Sequence, residues 1–155
     1  NLNLKEKEEI ALTRLKNLAI MELNSNIVEM RSGDMYLSRH IEDVIKKAEK
    51  QTKVILLTGA RQVGKTTAIR HICADYEYVT LDDENELRLA LEDRTLFFRD
   101  KSFPVIIDEV QYAKELMKSI KLVADKSSKK GQIILTGSQT YELFSTAAET
   151  LAASS

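Results

Sequence analysis

The chain has 155 residues, of which 43% are hydrophobic and 30% are charged, and its formal net charge at pH 7 is −1. This length suits one domain with a buried core and is too short for two domains of ordinary size. A near-neutral chain gives no electrostatic indication of nucleic-acid or membrane binding, and no apolar run approaches the ~18 residues that a membrane span needs.

The cellular compartment follows from the cysteine content and from the N-terminal charge. Cys73 is the only cysteine, which excludes a disulfide within the chain and is typical of a reducing compartment. Residues 5–9 (KEKEE) carry too much charge for the start of a secretory signal. We therefore expect a cytoplasmic protein.

Apolar residues recur at roughly helical spacing between residues 4 and 23, with charged residues between them. The polar runs 24–26 (NSN) and 31–34 (RSGD) then interrupt the pattern. The sequence therefore predicts a helix over most of residues 4–23.

From residue 38 onward, helical segments alternate with short apolar runs that are typical of strands buried in a parallel sheet. The predicted strands are 53–58, 76–81, 103–110 and 131–138. The predicted helices are 38–50, 66–75, 84–93 and 114–126. This alternation predicts an α/β fold with a mainly parallel sheet and right-handed crossovers.

A glycine-bounded loop follows the first predicted strand. Residues 59–66 (GARQVGKT) fit the pattern G-x-x-x-x-G-K-[ST], and they have the strand before and the helix after that this motif requires. The two glycines allow successive N–H groups to point inward around an anion, and the start of the helix adds partial positive charge. The sequence therefore predicts a phosphate-binding loop.

Each residue type in this loop has a physical role. Lys65 supplies a point charge to the β- and γ-phosphates, and the Thr66 hydroxyl is a ligand for Mg²⁺. The predicted nucleotide-binding residues are Gly59, Ala60, Arg61, Gln62, Val63, Gly64, Lys65, Thr66 and Thr67.

Two adjacent acids end the third predicted strand, where residues 105–111 read VIIDEVQ. An aspartate in the place of Asp108 holds Mg²⁺ in P-loop enzymes, and Glu109 is suited to accept a proton from an attacking water. Adjacent residues on a strand point to opposite sides, so the strand must turn at its end for both acids to reach one nucleotide.

This acidic pair favours a hydrolytic ATPase over the other P-loop classes. A small P-loop kinase would not need the glutamate, and a GTPase would show an N-K-x-D motif that the sequence lacks. A helicase would normally need two such domains. A small-molecule kinase remains a weaker alternative.

A third polar element ends the fourth predicted strand, where residues 133–139 read IILTGSQ. A polar side chain there is suited to contact both the γ-phosphate and the attacking water. Thr136, Ser138 and Gln139 are the candidates, and we favour Ser138. Asp82 and Asp83, which follow the second strand, either help to order water around the metal or begin the next helix.

These three motifs together resemble the prokaryotic AAA-type ATPases that carry a poorly characterised C-terminal domain. The similarity covers residues 35–152, beginning with MYLSRHIEDVI. It implies a three-layer αβα P-loop core with ATP and Mg²⁺ as ligands. The roles implied by motif position are phosphate and metal contact for Lys65 and Thr66, metal contact for Asp108, catalysis for Glu109 and sensing for Ser138.

Both ends of the chain depart from this resemblance. Family members begin near the equivalent of Met35, so we expect residues 1–34 to be a helical N-terminal extension, with a partner-binding helix and an artificial addition as alternatives. In the family, a further strand, a lid and a C-terminal domain follow the helix that resembles residues 141–152. We therefore expect a core, residues 35–155, that is incomplete at its C-terminus and has the P-loop strand at the sheet edge.

The leading hypothesis is a domain that binds ATP with Mg²⁺ and hydrolyses it. The alternative is a nucleotide-gated switch that binds protein or nucleic acid and hydrolyses little ATP by itself. In either case, a second copy of the chain or a missing C-terminal domain is expected to complete the site. The sequence names no biological substrate.

Overall fold

The computed structural model describes residues 10–15, 18–23, 34–59, 65–138 and 141–152. The strands in these ranges are β1 (Ile10–Leu15), β2 (Leu18–Leu23), β3 (Val54–Gly59), β4 (Glu77–Thr80), β5 (Val105–Asp108) and β6 (Ile133–Ser138). The helices are α1 (Asp34–Gln51), α2 (Lys65–Ile72), α3 (Glu84–Glu92), α4 (Arg94–Arg99), α5 (Leu116–Lys126) and α6 (Tyr141–Leu151), with a 3-10 helix at Val110–Ala113.

Within the described ranges the strands form one sheet in the order β1-β2-β3-β6-β5-β4. The pairs β2–β3, β3–β6, β6–β5 and β5–β4 are parallel, whereas β1 pairs with β2 in antiparallel orientation. All six residues of β3 are buried, as expected for a parallel strand that is covered on both faces. The mainly parallel α/β sheet predicted from the sequence is confirmed.

Apolar side chains leave the central strands alternately towards two clusters, one on each face of the sheet. On one face, Leu56 and Leu135 pack with apolar residues of α3, α4, α5 and α6. On the other face, Leu57 and Ile134 pack with apolar residues of α1 and α2. The structure therefore has the three layers that were expected, with the sheet between two layers of helices.

The prediction of a helix over residues 4–23 is wrong for the part that the structure describes. Residues 10–15 and 18–23 form two antiparallel strands in which Leu15 lies opposite Leu18. Leu18 and Ile20 belong to one apolar cluster, whereas Ala19 and Met21 belong to the other. Residues 18–21 therefore belong to a strand that is buried on both faces. Periodicity alone does not distinguish such a strand from a short buried helix.

The remainder of the predicted N-terminal extension, residues 1–9, 16–17 and 24–33, lies outside the described residues. Residues 10–15 and 18–23 share one sheet with the strands of the core and do not form a separate helical unit. The helical description of residues 1–34 is thus corrected for the residues described.

The expectation that the P-loop strand lies at the sheet edge is also wrong. β2 pairs with β3 along its whole length, from Leu18 opposite Val54 to Leu23 opposite Gly59. β6 pairs with the other side of β3. Because both sides of β3 are bonded to neighbouring strands, its backbone is held in place up to the residue where the predicted phosphate-binding loop begins.

We expect Ile20→Ala to lower the free energy of unfolding by about 2–5 kcal/mol, because it leaves a cavity in the core beside β3. Ile20 is only 2% exposed. Urea denaturation monitored by circular dichroism measures this change.

The matched control is Leu91→Ala, at a helix position that is 43% exposed, where we expect a change within about 0.5 kcal/mol. Equal effects of the two substitutions would mean that β2 is not part of the core.

Candidate functional site

The predicted phosphate-binding loop joins a strand to a helix, as the motif requires. β3 ends at Gly59 and α2 begins at Lys65. Residues 60–64, the side chain of Lys65 and Gln139 lie outside the described residues, so the contacts predicted for them stay predictions. The first turn of α2 contains no acidic residue, so its partial positive charge is not offset from within the helix.

The buried carboxylate of Asp108 lies at the end of β5 and is 4% exposed. The hydroxyl of Thr66 lies 3.2 Å from its Oδ1 and 3.3 Å from its Oδ2. The hydroxyl of Tyr78 donates to Oδ2 at 2.5 Å, and the hydroxyl of Thr136 donates to Oδ1. These donors compensate the loss of water around a buried charge.

The three donors come from different parts of the chain, namely α2, β4 and β6. Thr66 and Asp108, which are 42 residues apart, are the two residues that the sequence assigned to a metal, and the structure brings them into contact. A hydroxyl that gives its hydrogen to a carboxylate keeps its oxygen lone pairs for a cation. Thr67 follows on α2 and is exposed.

Tyr78 contacts Asp108, and no motif in the sequence indicates this contact. Burial, and then the hydrogen bond to Asp108, raise the pKa of Tyr78 to about 12, so the phenol remains a donor at neutral pH. The guanidinium of Arg70 lies 4.3 Å from the centre of the Tyr78 ring. In the register of β4 and β5, Thr80 pairs with Asp108, and Tyr78 lies two residues before Thr80 on the same face. Only this register reveals the contact.

The chain turns at Glu109, directly after β5 ends at Asp108. Glu109 has φ 60° and ψ 43°, which is the left-handed region that residues other than glycine rarely adopt. Its N–H donates to the Thr136 hydroxyl at 3.2 Å, and Gln111 Nε2 donates to its Oε2. Glu109 is 7% exposed. A buried acid on a strained backbone is characteristic of functional sites.

The end of β6 lies between the predicted loop and the acidic pair. Ser138 pairs with Gly59, where the loop begins, and its N–H donates to Gln111 Oε1 at 3.3 Å. Thr136 is fully buried and contacts Asp108 and Glu109. Thr136 is thus the candidate that binds the acids, and the sensing role of the Ser138 side chain stays a prediction.

Of the two acids that follow β4, Asp83 begins the next helix. Its carboxylate accepts from the N–H of Asn85 at 2.8 Å and from that of Glu86 at 3.1 Å, which makes it the N-cap of α3. Asp82 is exposed. The helix-starting interpretation of Asp83 is confirmed, and the proposed role of Asp82 in ordering water around a metal stays a prediction.

Comparison with known proteins identifies one family. A family model described as an AAA domain matches residues 51–154. An uncharacterised protein of Mycobacterium bovis and one of Mycobacterium tuberculosis are each 31% identical to the chain over 109 residues. The matched part is 70% of this chain and 25% of each relative, so the chain spans about a quarter of the length of these relatives.

No solved structure matches the chain. Among the helices in the described ranges, none is long and apolar enough to cross a membrane.

We expect Thr136→Val to lower the free energy of unfolding by about 1–3 kcal/mol, because it leaves the buried Glu109 N–H without its acceptor and removes a donor from Asp108. Valine keeps the shape of the side chain, so packing changes little. Urea denaturation measures the change.

The control is Thr58→Val on the neighbouring strand, where the buried hydroxyl donates one long bond of 3.4 Å to the Met21 carbonyl. We expect a smaller loss of stability there. A larger loss for Thr58→Val than for Thr136→Val would contradict the importance of the hydroxyl cluster around Asp108.

Proposed function

The chain belongs to the AAA domain family, whose members are nucleotide-binding P-loop NTPases, and we propose that it binds ATP with Mg²⁺ and hydrolyses it. The observation that carries this proposal is the contact between the Thr66 hydroxyl and the Asp108 carboxylate. This contact joins Thr66, which follows the predicted phosphate-binding Lys65, to Asp108 at the end of β5. In the sheet, β5 lies two strands away from β3, the strand that precedes the predicted loop.

The chemistry of these donors fits Mg²⁺. The ion prefers hard oxygen ligands and is usually held by one or two carboxylates together with substrate phosphates and water. The described residues contain no group of three or more His, Cys, Asp and Glu side chains suited to a metal. When bound, Mg²⁺ would neutralise charge on the β- and γ-phosphates. We assign Thr66 and Asp108 to it.

We assign the phosphates themselves to the loop 59–64 and to Lys65. The fixed end of β3 and the start of α2 place the two ends of this loop at the carboxyl edge of the sheet, where parallel α/β sheets bind ligands. Backbone N–H groups in the first turn of α2 have no partner within the helix and are suited to an anion. Lys65 adds a full positive charge.

Glu109 is assigned as the general base. The water oxygen forms a bond to the γ-phosphorus, the bond from that phosphorus to the β–γ bridging oxygen breaks, and ADP leaves with the electron pair. One proton of the water passes to Glu109, and the products are ADP and inorganic phosphate. Gln111 contacts Oε2, so we assign Oε1 as the oxygen that accepts the proton.

Lys65→Ala should weaken the binding of ATP by on the order of 10- to 100-fold, because a charged hydrogen bond to phosphate contributes about 1.5–3 kcal/mol. Isothermal titration calorimetry measures the affinity. The control is Lys118→Ala, which removes an exposed lysine from α5 and leaves affinity unchanged. Unchanged affinity in Lys65→Ala would refute the loop assignment.

Glu109→Gln should preserve ATP affinity and lower the rate of phosphate release by about 10²–10⁴-fold, the usual contribution of a general base. The measurement is phosphate release from ATP and Mg²⁺ over a range of protein concentrations. Glu92→Gln, an exposed acid at the end of α3, serves as the control and should be fully active.

Three other outcomes are informative. A specific rate that rises with protein concentration indicates that neighbouring copies complete the site. Bound ATP without release that depends on Glu109 would contradict the hydrolytic proposal and favour a nucleotide-gated switch. Phosphate that appears on an acceptor other than water would indicate a kinase.

A further inference from the structure

Both ends of the Gln111 side-chain amide are engaged. Nε2 donates to the Glu109 carboxylate, and Oε1 accepts from the backbone N–H of Ser138 at 3.3 Å. An ionised carboxylate can accept hydrogen bonds but cannot donate them, and a backbone N–H can only donate. These two partners together determine which way the amide faces. Gln111 therefore bridges the acid after β5 and the end of β6.

The backbone around this bridge is also held. The N–H of Tyr112 donates to the Glu109 carbonyl at 3.2 Å and closes the turn that contains Gln111. The Glu109 N–H is bonded to Thr136 on β6. The backbones of both residues are thus constrained before their side chains meet, so the amide reaches the carboxylate from a defined position.

We propose that Gln111 is a positioning residue that holds the Glu109 carboxylate beside the end of β6, and this inference rests on the proposed function. Ser138 pairs with Gly59, so the bridge ties Glu109 to the strand that lies next to the start of the phosphate-binding loop. A glutamate side chain has several rotatable bonds, and a general base must lie within hydrogen-bonding distance of the proton that it takes. Misplacement by ~1 Å costs on the order of 100-fold in rate.

Two substitutions distinguish the hydrogen bond made by the amide nitrogen from the one made by the amide oxygen. Gln111→Ala removes both hydrogen bonds. Gln111→Glu keeps an oxygen for the Ser138 N–H but replaces the donor that faces Glu109 with a second negative charge. Both variants should lower kcat for phosphate release by roughly 10- to 100-fold, with the affinity for ATP changed less than about threefold, because Gln111 acts on the base and not on nucleotide binding.

The same substitution in the Glu109→Gln background distinguishes positioning from a general structural role. If Gln111 acts through the Glu109 carboxylate, Gln111→Ala should cause no further loss of rate once that carboxylate is an amide. Losses that multiply, or a kcat for Gln111→Ala equal to that of the unmodified chain, would overturn the role of Gln111 while leaving the proposed function intact.

Hydrogen exchange of the Ser138 amide, followed by NMR in the absence of nucleotide, tests the bridge without any catalytic readout. Exchange should be faster in Gln111→Ala and close to that of the unmodified chain in Gln111→Glu. Equal exchange in the Ala variant and the unmodified chain would overturn the contact itself. Phosphate release that is absent or independent of Glu109 would instead overturn the proposed function, and the role of Gln111 with it.

Discussion

The hydrogen bonds that surround the Asp108 carboxylate are the interaction on which the site depends. A carboxylate that is 4% exposed is stable in its charged form only if donors replace the lost water, and here these donors are the hydroxyls of Thr66, Tyr78 and Thr136. Because the donors lie on α2, β4 and β6, the carboxylate links the beginning of one helix to both strands that neighbour β5. The positions of the oxygen atoms at this edge of the sheet are therefore fixed by hydrogen bonds within the protein.

The pairing of β2 with β3 gives this edge its second support. A parallel strand with one unpaired side would leave backbone groups exposed next to Gly59, where the predicted phosphate-binding loop begins. β2 occupies that side over its full length. Its Leu18 and Ile20 side chains enter one apolar cluster, and its Ala19 and Met21 side chains enter the other. Residues that the sequence pattern assigned to a helical extension are therefore part of the sheet that holds β3 up to Gly59.

The left-handed backbone at Glu109 ends the extended strand between the two adjacent acids. The turn is stabilised by Thr136 on one side of Glu109 and by the 3-10 helix on the other, and it brings Gln111 back to the carboxylate. Strain of this kind persists only where neighbouring contacts hold the residue in place. In this site those contacts come from β6 and from the turn itself, and Thr136 on β6 contacts both acids.

The amino-acid sequence by itself determined the class of the fold, the strand–loop–helix around Gly59 and Lys65, and the acidic pair at the end of β5. Each of these follows from short-range signals, namely apolar runs, glycine spacing and residue type, whose meaning does not depend on distant residues. The same signals failed for residues 10–23, since a short apolar run is compatible with a helix or with a strand buried on both faces.

Only the tertiary structure decided that β2 covers the P-loop strand, that Tyr78 and Thr136 bind Asp108, and that Gln111 bridges Glu109 to Ser138. Each of these contacts requires the order and register of strands that are far apart in the chain. The apolar pattern of a single strand indicates which side chains are buried, but it does not identify the distant strand and residue that each position faces.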